Sequence, residues 1–105
     1  MKHALSLATA REQHNAYVRA LSELGLDVIV MQPLTTHPDS CFIEDTAVIH
    51  GKKALITSLT PETRRGEEYS VHEVLQEYLE CRSIKGSARL EGGDVIHLDD
   101  RLICG

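Results

Sequence analysis

Apolar segments of two different periodicities alternate along this chain, and their order restricts the fold more than any other feature. Residues 42–50 and 54–59 are extended apolar stretches, and the Gly-Lys-Lys sequence at 51–53 between them predicts a β-hairpin. A helical apolar stripe follows over residues 67–80, and residues 81–84 begin another strand. The order strand, strand, helix, strand predicts an α/β fold.

The first third of the chain predicts a strand, a helix and a second strand. Residues 3–8 are a short apolar stretch, and residues 10–24 carry apolar side chains at helical spacing. Thr9 is the expected N-cap of this helix, as part of a capping box, and Gly25 is expected to end it. The β-branched stretch at residues 27–32 predicts a buried strand.

The end of the chain predicts a second hairpin. Residues 94–98 and 102–104 are apolar stretches, with Asp99-Asp100 as the turn between them. A strand-strand-helix-strand module therefore recurs about every 45–50 residues, which indicates a repeat architecture. Two helices leave apolar strand surface with nothing to cover it. We therefore expect residues 1–105 to be the N-terminal portion of a longer single domain.

Composition restricts the classes of partner. The net charge of −5 argues against nucleic acid or an anionic membrane surface as the main partner. No apolar run approaches the ~20 residues of a membrane helix. Three cysteines, an odd number without close pairing, predict reduced thiols in a cytoplasmic protein. The six histidines are scattered without metal-ligand spacing, so we expect no metal site.

Two segments place carboxylates beside strand-like apolar residues. One is residues 37–46, His-Pro-Asp-Ser-Cys-Phe-Ile-Glu-Asp-Thr, and the other is residues 90–95, Leu-Glu-Gly-Gly-Asp-Val. Isolated carboxylates belong on a solvated surface, because burying an unpaired charge is costly. Acids that recur where strands enter and leave a core therefore predict a cleft that receives a cation.

Four motifs, at residues 42–48, 54–57, 64–67 and 90–95, resemble in order and spacing the dimethylarginine dimethylaminohydrolase family. This family belongs to the guanidino-group-modifying superfamily, and the resemblance covers nearly the whole chain. It implies a five-bladed α/β propeller, or pentein, built of ββαβ modules, of which this chain supplies about two. It also implies a small-molecule guanidino substrate and no cofactor.

The resemblance further implies a chemistry. A cysteine thiolate attacks the guanidinium carbon of an Nω-methylated arginine, a histidine protonates the departing methylamine, and water hydrolyses the covalent thiouronium to citrulline. In the family, both the cysteine and the histidine lie beyond the position of Gly105. The 105 residues alone are therefore expected to be inactive.

The resemblance places the substrate cradle in residues 37–46. Asp45 matches the carboxylate that binds the guanidinium nitrogens, Glu44 a neighbouring residue that helps to hold them, and Asp39 a contact of the α-ammonium group. The residues alone fit other roles as well, a loop cap for Asp45 and an Asx-turn for Asp39. Successive strand residues point to opposite faces, so Glu44 and Asp45 share a wall only if a bulge or bend intervenes.

Two further residues complete the site that the resemblance implies. Arg64 matches the arginine that clamps the substrate α-carboxylate, and Glu91 matches the catalytic acid that orients the histidine, as the aspartate does in a serine-protease triad. A solvated cation ahead of a helix is the alternative for Arg64, although helix N-termini disfavour cations. A turn residue is the alternative for Glu91. Residues 58–63 lack the family's arginine-proline-glycine run, which leaves the preferred substrate open.

Three rival functions stay open at this point. Arginine deiminases and amidinotransferases use the same acids, and a non-catalytic module could bind a cationic amino acid or a partner protein. Self-association that covers exposed strand edges to form a homo-oligomer is compatible with any of these functions.

Overall fold

The computed structural model describes residues 4–105, which divide into two compact units, one ending at Gln32 and the other running from Pro33 to Gly105. Neither helix within this range combines the length and apolarity needed to cross a bilayer. The helices and strands, in chain order, are α1 (Leu7–Glu23), β1 (Ala47–His50), β2 (Lys53–Ile56), α2 (Glu67–Leu75), β3 (Glu80–Ser83), β4 (Val95–Leu98) and β5 (Arg101–Cys104).

The first unit contains α1, which begins earlier than the sequence predicts. The strand predicted at residues 3–8 is wrong where it can be tested: Leu7 and Ala8 are helical, while His3 lies outside the described residues. The predicted cap at Thr9 is also wrong, because the hydroxyl of Ser6 accepts the Thr9 N–H at 3.2 Å and so caps the helix. The end is as predicted, with Gly25 at φ +88°.

The strand predicted at residues 27–32 does not form. None of the described residues pairs with this stretch in a β-ladder, and it is irregular. Ile29 and Val30 are exposed, and only Val28 and Met31 are half-buried. A β-branched sequence favours the extended backbone, but a strand also requires a hydrogen-bonded neighbour.

Ser6→Ala is expected to loosen the first turn of α1. The Thr9 N–H loses its acceptor, and losing such a cap typically costs about 1 kcal/mol of helix stability. Amide hydrogen exchange at Thr9 should become faster, while the exchange of amides in the middle of α1 should change little. The control is Ser22→Ala in the last turn, which leaves this cap intact. Equal exchange at Thr9 in both variants would contradict the assignment.

The second unit contains a three-stranded sheet in the order β1-β2-β3. The hairpin of β1 and β2 is antiparallel, with Val48 opposite Leu55, and β3 runs parallel to β2, with Ala54 opposite Cys81. Parallel neighbours need a crossover connection, and α2 provides it. The predicted strand-strand-helix-strand module is therefore confirmed.

A small core lies between this sheet and α2. Its buried apolar side chains are Val48 of β1, Ala54 and Ile56 of β2, Leu59 after β2, and Val71 of α2. These positions alternate along β2, as expected for a strand with one buried face. The core fixes the ends of β1 and β2, where the acidic motifs lie.

Two boundaries in this unit differ from the sequence prediction. Residues 43–46 form a turn of 3-10 helix rather than a strand, with the Thr46 hydroxyl donating to the Ile43 carbonyl. The second helix ends at Leu75 rather than near residue 80. It ends there because the chain must return to the sheet, where the Glu80 N–H donates to the Lys52 carbonyl at 3.0 Å.

The predicted second hairpin is confirmed as an antiparallel pair of β4 and β5, with Leu98 opposite Arg101. Asp99 in its turn adopts φ +52°, a left-handed conformation that aspartate tolerates better than most residues. Both strands keep large apolar side chains exposed, including Ile96 and Ile103.

Candidate functional site

A pair of threonines fixes the turn that carries Asp45. The Thr57 N–H donates to the Thr46 carbonyl at 3.0 Å, and the Thr57 hydroxyl donates to the Asp45 carbonyl at 2.6 Å. Both threonines are buried, with exposures of 1% and 3%. Hydrogen bonds to its backbone therefore hold residue 45 against the end of β2. The Asp45 side chain takes no part in these bonds and stays available for other partners.

A bridge from the end of β2 brings the second acidic motif to the same place. Leu90 pairs with Ser58 in an isolated antiparallel bridge, and its N–H donates to the Ser58 carbonyl at 3.0 Å. The chain then turns through a 3-10 turn at Gly92–Asp94 directly into β4. This turn packs against the 3-10 turn Ile43–Thr46, so the two motifs that the sequence singles out lie side by side.

Two glycines allow this close approach. A Cβ atom at Gly92 would collide with the carbonyl oxygen of Glu44 and would lie 3.0 Å from that of Ala47. A Cβ atom at Gly93 would lie 2.5 Å from Oδ1 of Asp45. The two turns can therefore pack this closely because neither glycine carries a side chain.

The carboxylate of Asp45 bridges the two sides of the site. Its Oδ1 accepts the Gly93 N–H at 2.9 Å, and its Oδ2 accepts from Nη1 of Arg64 at 2.8 Å. The side chain is 17% exposed. A carboxylate offers about four acceptor positions, so roughly two remain for a further donor. Asp45 therefore already binds one guanidinium group, that of Arg64, and keeps capacity for another.

Arg64 is buried and its three guanidinium nitrogens all have partners. Nε donates to both carboxylate oxygens of Glu67, at 3.0 and 3.3 Å, and Nη2 donates to Oε1 of Glu67 at 3.0 Å. Nη2 also contacts the carbonyls of Asp39, at 3.3 Å, and Phe42, at 3.2 Å. This fork pairing is the geometry that arginine and carboxylate favour. Arg64 thus ties the segment 39–42 to the start of α2.

The surroundings favour the charged form of Arg64. Hydrogen bonds to Glu67 and then to Asp45 raise the pKa of Arg64 above its ordinary value, and they outweigh the burial that acts in the opposite direction. Because this pKa is raised, Arg64 keeps its positive charge throughout the pH range in which proteins are handled. The solvated cation that the sequence alone allowed for Arg64 is therefore wrong. A contact with a substrate carboxylate stays a prediction.

The other three predicted site residues lie in or next to the backbone segments that form this cluster. Glu44 and Asp39 are exposed, and Glu91 is half-buried. Among residues 4–105, the carboxylates of these three residues make no hydrogen bond. The Asx-turn that Asp39 could have formed is therefore not made. The bend that Glu44 and Asp45 need in order to share a wall does exist, because both lie in a 3-10 turn.

Sequence reasoning missed Glu67 and the Gly93 N–H. Glu67 is 1% exposed and lies three residues after Arg64, within the Arg-Arg-Gly-Glu motif. The spacing of Arg64 and Glu67 did indicate a pair, since residues three apart are neighbours at the start of a helix. The sequence did not show that this pair is buried, because the same spacing between Glu62 and Arg65 gives an exposed pair at 3.6 Å.

A separate cleft of about 220 Å³ lies elsewhere in the second unit. Apolar side chains such as Val48, Leu55 and Leu102 line it, and none of the predicted site residues does. The acids of the site do not group as a metal centre either: within the described range, no three His, Cys, Asp or Glu side chains converge as ligands. What the cluster around Asp45 does offer is a partly exposed carboxylate that is held at both oxygens by hydrogen bonds.

The sequence profile of a protein family, described as N,N dimethylarginine dimethylhydrolase, eukaryotic, matches residues 1–104 of the chain. The chain belongs to the dimethylarginine dimethylaminohydrolase family. It is 35% identical over 100 residues to N(G),N(G)-dimethylarginine dimethylaminohydrolase of Pseudomonas aeruginosa, covering 93% of this chain and 39% of the relative. It is 36% identical to the enzyme of that name from Streptomyces coelicolor, over 98% of this chain and 39% of the relative.

Solved structures of this family share the fold. A crystal structure of a dimethylarginine dimethylaminohydrolase adduct with S-methyl-L-thiocitrulline superposes with a TM-score of 0.86 at 34% identity, covering 92% of this chain and 39% of that one. A variant of the P. aeruginosa enzyme complexed with citrulline gives the same TM-score. AgrE, at 22% identity and a TM-score of 0.77, is similar in fold. The chain therefore spans about two-fifths of the P. aeruginosa and S. coelicolor relatives.

Proposed function

We propose that this chain is the N-terminal, substrate-binding portion of a catalytic domain that hydrolyses Nω-methylated arginine to citrulline and methylamines. The observation that carries this proposal is the contact between the Gly93 N–H and Oδ1 of Asp45, at 2.9 Å across 48 residues of chain. It joins two acidic motifs at one carboxylate, where a planar cation can be bound by paired hydrogen bonds. Two structures similar to this chain are an adduct with S-methyl-L-thiocitrulline and a complex with citrulline.

Each predicted residue has a defined role in this proposal. Asp45, with Glu44 beside it, binds the guanidinium nitrogens, and Asp39 binds the α-ammonium group. Glu91 orients a histidine supplied by another part of the domain and stabilises its imidazolium form. Arg64, whose nitrogens already bind Asp45 and Glu67, acts mainly by holding the cradle together.

The proposed chemistry uses a cysteine thiolate that also lies outside residues 4–105. It adds to the guanidinium carbon, and the methylated amine departs with a proton from the histidine. Water then attacks the thiouronium carbon, releasing the thiolate and leaving the ureido group of citrulline. A guanidinium is a poor electrophile because its charge is delocalised, so its orientation between carboxylates contributes directly to the rate.

The scaffold supports the same proposal. One complete ββαβ module, from β1 to β3, precedes the β4–β5 hairpin that opens the next module. We infer that these are blades of a five-bladed propeller whose remaining blades cover the exposed apolar residues of β4 and β5.

We also propose a cytoplasmic location. The three cysteines form no disulfide, which fits a reducing compartment. Sedimentation at several concentrations tests for a homo-oligomer.

A chimera tests the proposed function. Residues 1–105 are joined to the part of the P. aeruginosa relative that lies beyond its matched region, at 35% identity across the replaced segment. We expect the chimera to release dimethylamine and citrulline from Nω,Nω-dimethyl-L-arginine. The 105-residue chain alone and the relative's remaining part alone are the controls, and neither should turn over substrate.

The products separate the rival functions. Ammonia released from arginine would indicate an arginine deiminase, and transfer of the amidino group to an added amine would indicate an amidinotransferase. A folded chimera that binds arginine without any turnover would support a binding module instead. A folded chimera that neither binds nor converts a guanidino compound would contradict the proposal.

A further inference from the structure

We propose that Glu67 is a positioning residue that neutralises Arg64, so that the Asp45 carboxylate keeps its negative charge for a guanidinium substrate. The inference rests on the proposed function, because it concerns how the same cradle selects a cation. Glu67 would not touch the substrate. It would act through Arg64, which lies between the two carboxylates.

The burial of Glu67 is the first argument. The carboxylate is 1% exposed, and its hydrogen bonds among the described residues all go to Arg64. Placing an ion pair inside a protein is rarely a gain in stability, because desolvation offsets the attraction. Apolar residues of similar volume would fill the same space at least as well. A charge buried in this way therefore points to a purpose other than packing.

The charge balance around Asp45 is the second argument. Arg64 lies 2.8 Å from Asp45, and without another anion the two groups would be neutral together. A cationic substrate would then meet little net attraction at the carboxylate that is meant to bind it. With Glu67 on the opposite edge of Arg64, the three groups carry one net negative charge. The Asp45 carboxylate is 17% exposed and that of Glu67 only 1%, so a substrate meets this negative charge at Asp45.

The geometry of the guanidinium group is the third argument. Glu67 takes Nε and Nη2, the carbonyls of Asp39 and Phe42 also take Nη2, and Nη1 is left to meet Asp45. With Gly93 holding the other oxygen, the carboxylate of Asp45 is fixed at both atoms. Its remaining acceptor positions are therefore presented in one orientation, which lowers the entropic cost of binding a planar cation.

Glu67→Gln in the active chimera tests the inference, because it keeps the shape of the side chain and removes its charge. We expect the KM for Nω,Nω-dimethyl-L-arginine to rise about tenfold to a hundredfold, the range of one charge-assisted contact. The inhibition constant of L-citrulline, whose ureido group is neutral, should change less than about threefold. A purely structural role would reduce the active fraction and leave both constants unchanged.

Glu62→Gln is the matched control. Glu62 and Arg65 are also an arginine–glutamate pair three residues apart, but their side chains are 87% and 45% exposed, and neither is a hydrogen-bond partner of the Asp45 carboxylate. The control variant should keep the wild-type KM and inhibition constant, since exposed pairs contribute little. A folded Glu67→Gln variant with the same KM as Glu62→Gln would overturn the inference and leave the proposed function standing.

A double variant keeps the test decisive if Glu67→Gln does not fold. Arg64→Gln combined with Glu67→Gln removes both buried charges and restores one net negative charge at Asp45. If both variants fold, we expect the KM of the double variant for dimethylarginine to be closer to the wild-type value than the KM of Glu67→Gln. If only the double variant folds, its KM should lie within about tenfold of wild type. A double variant that binds citrulline normally but has lost its preference for the cation contradicts the inference. A wild-type chimera without guanidino binding would contradict the proposed function itself.

Discussion

Asp45→Asn is expected to lower kcat/KM of the chimera for Nω,Nω-dimethyl-L-arginine by about a thousandfold, which corresponds to about 4 kcal/mol of transition-state stabilisation. The asparagine has the same size but carries no charge. Its amide group also places a donor against either the Gly93 N–H or Nη1 of Arg64, which now both donate to the carboxylate. Steady-state kinetics with dimethylamine detection measures the effect.

The matched control for this variant is Asp100→Asn. Asp100 is an exposed acid in the turn between β4 and β5, so the same chemical change should leave kcat/KM within about twofold of wild type. Asp45→Asn also leaves Arg64 with Glu67 as its single counter-ion, and we expect this loss of a charged partner to lower the free energy of unfolding by about 2–3 kcal/mol. Denaturant unfolding of each variant separates this loss of stability from the loss of catalysis. A folded Asp45→Asn chimera with kcat/KM within tenfold of wild type would contradict the role given to Asp45.

The elements of the second unit were predictable because their signals are local. The hairpin of β1 and β2 follows from two apolar stretches around a glycine turn, and the stripe that begins at Glu67 follows from helical spacing. The parallel pairing of β3 with β2 then follows from the crossover. Boundaries were less predictable, since the end of α2 is set by the return of the chain to the sheet.

The first unit shows where local signals are insufficient. Residues 27–32 have the composition of a buried strand, but a strand depends on a partner that the stretch itself does not encode. Ser6 and Thr9 are both acceptable caps, and the choice between them depends on where the helical hydrogen bonds begin. Sequence alone could not rank two hydroxyl residues three positions apart.

At the site, the pattern of carboxylates beside apolar residues located the two acidic motifs, but it did not predict how the motifs meet. That the hydroxyl and N–H of Thr57 fix the turn carrying Asp45, and that the Gly93 amide reaches the carboxylate, are consequences of tertiary packing. Arg64 was predicted as a contact of the substrate, and that prediction still stands; the geometry adds Asp45 and Glu67 as partners that the sequence did not predict. The pairing with Glu67 was missed because burial is not visible in the spacing of charges.

Gly92→Ala is expected to be the most damaging glycine-to-alanine change among residues 4–105, because it separates the two motifs that form the cradle. The added Cβ would collide with the carbonyl of Glu44, and backbone atoms can give way only if the whole turn moves. We expect a loss of about 3 kcal/mol in unfolding free energy, at the upper end for overpacking, together with loss of activity in the chimera.

Gly93→Ala should cost less, because its Cβ meets the Asp45 side chain, which can rotate away. Gly105→Ala is the control, with an ordinary contact at 3.7 Å and no expected loss. Denaturant midpoints of the three variants of the 105-residue chain should follow this order, and equal midpoints for Gly92→Ala and Gly105→Ala would contradict the close approach of the two turns.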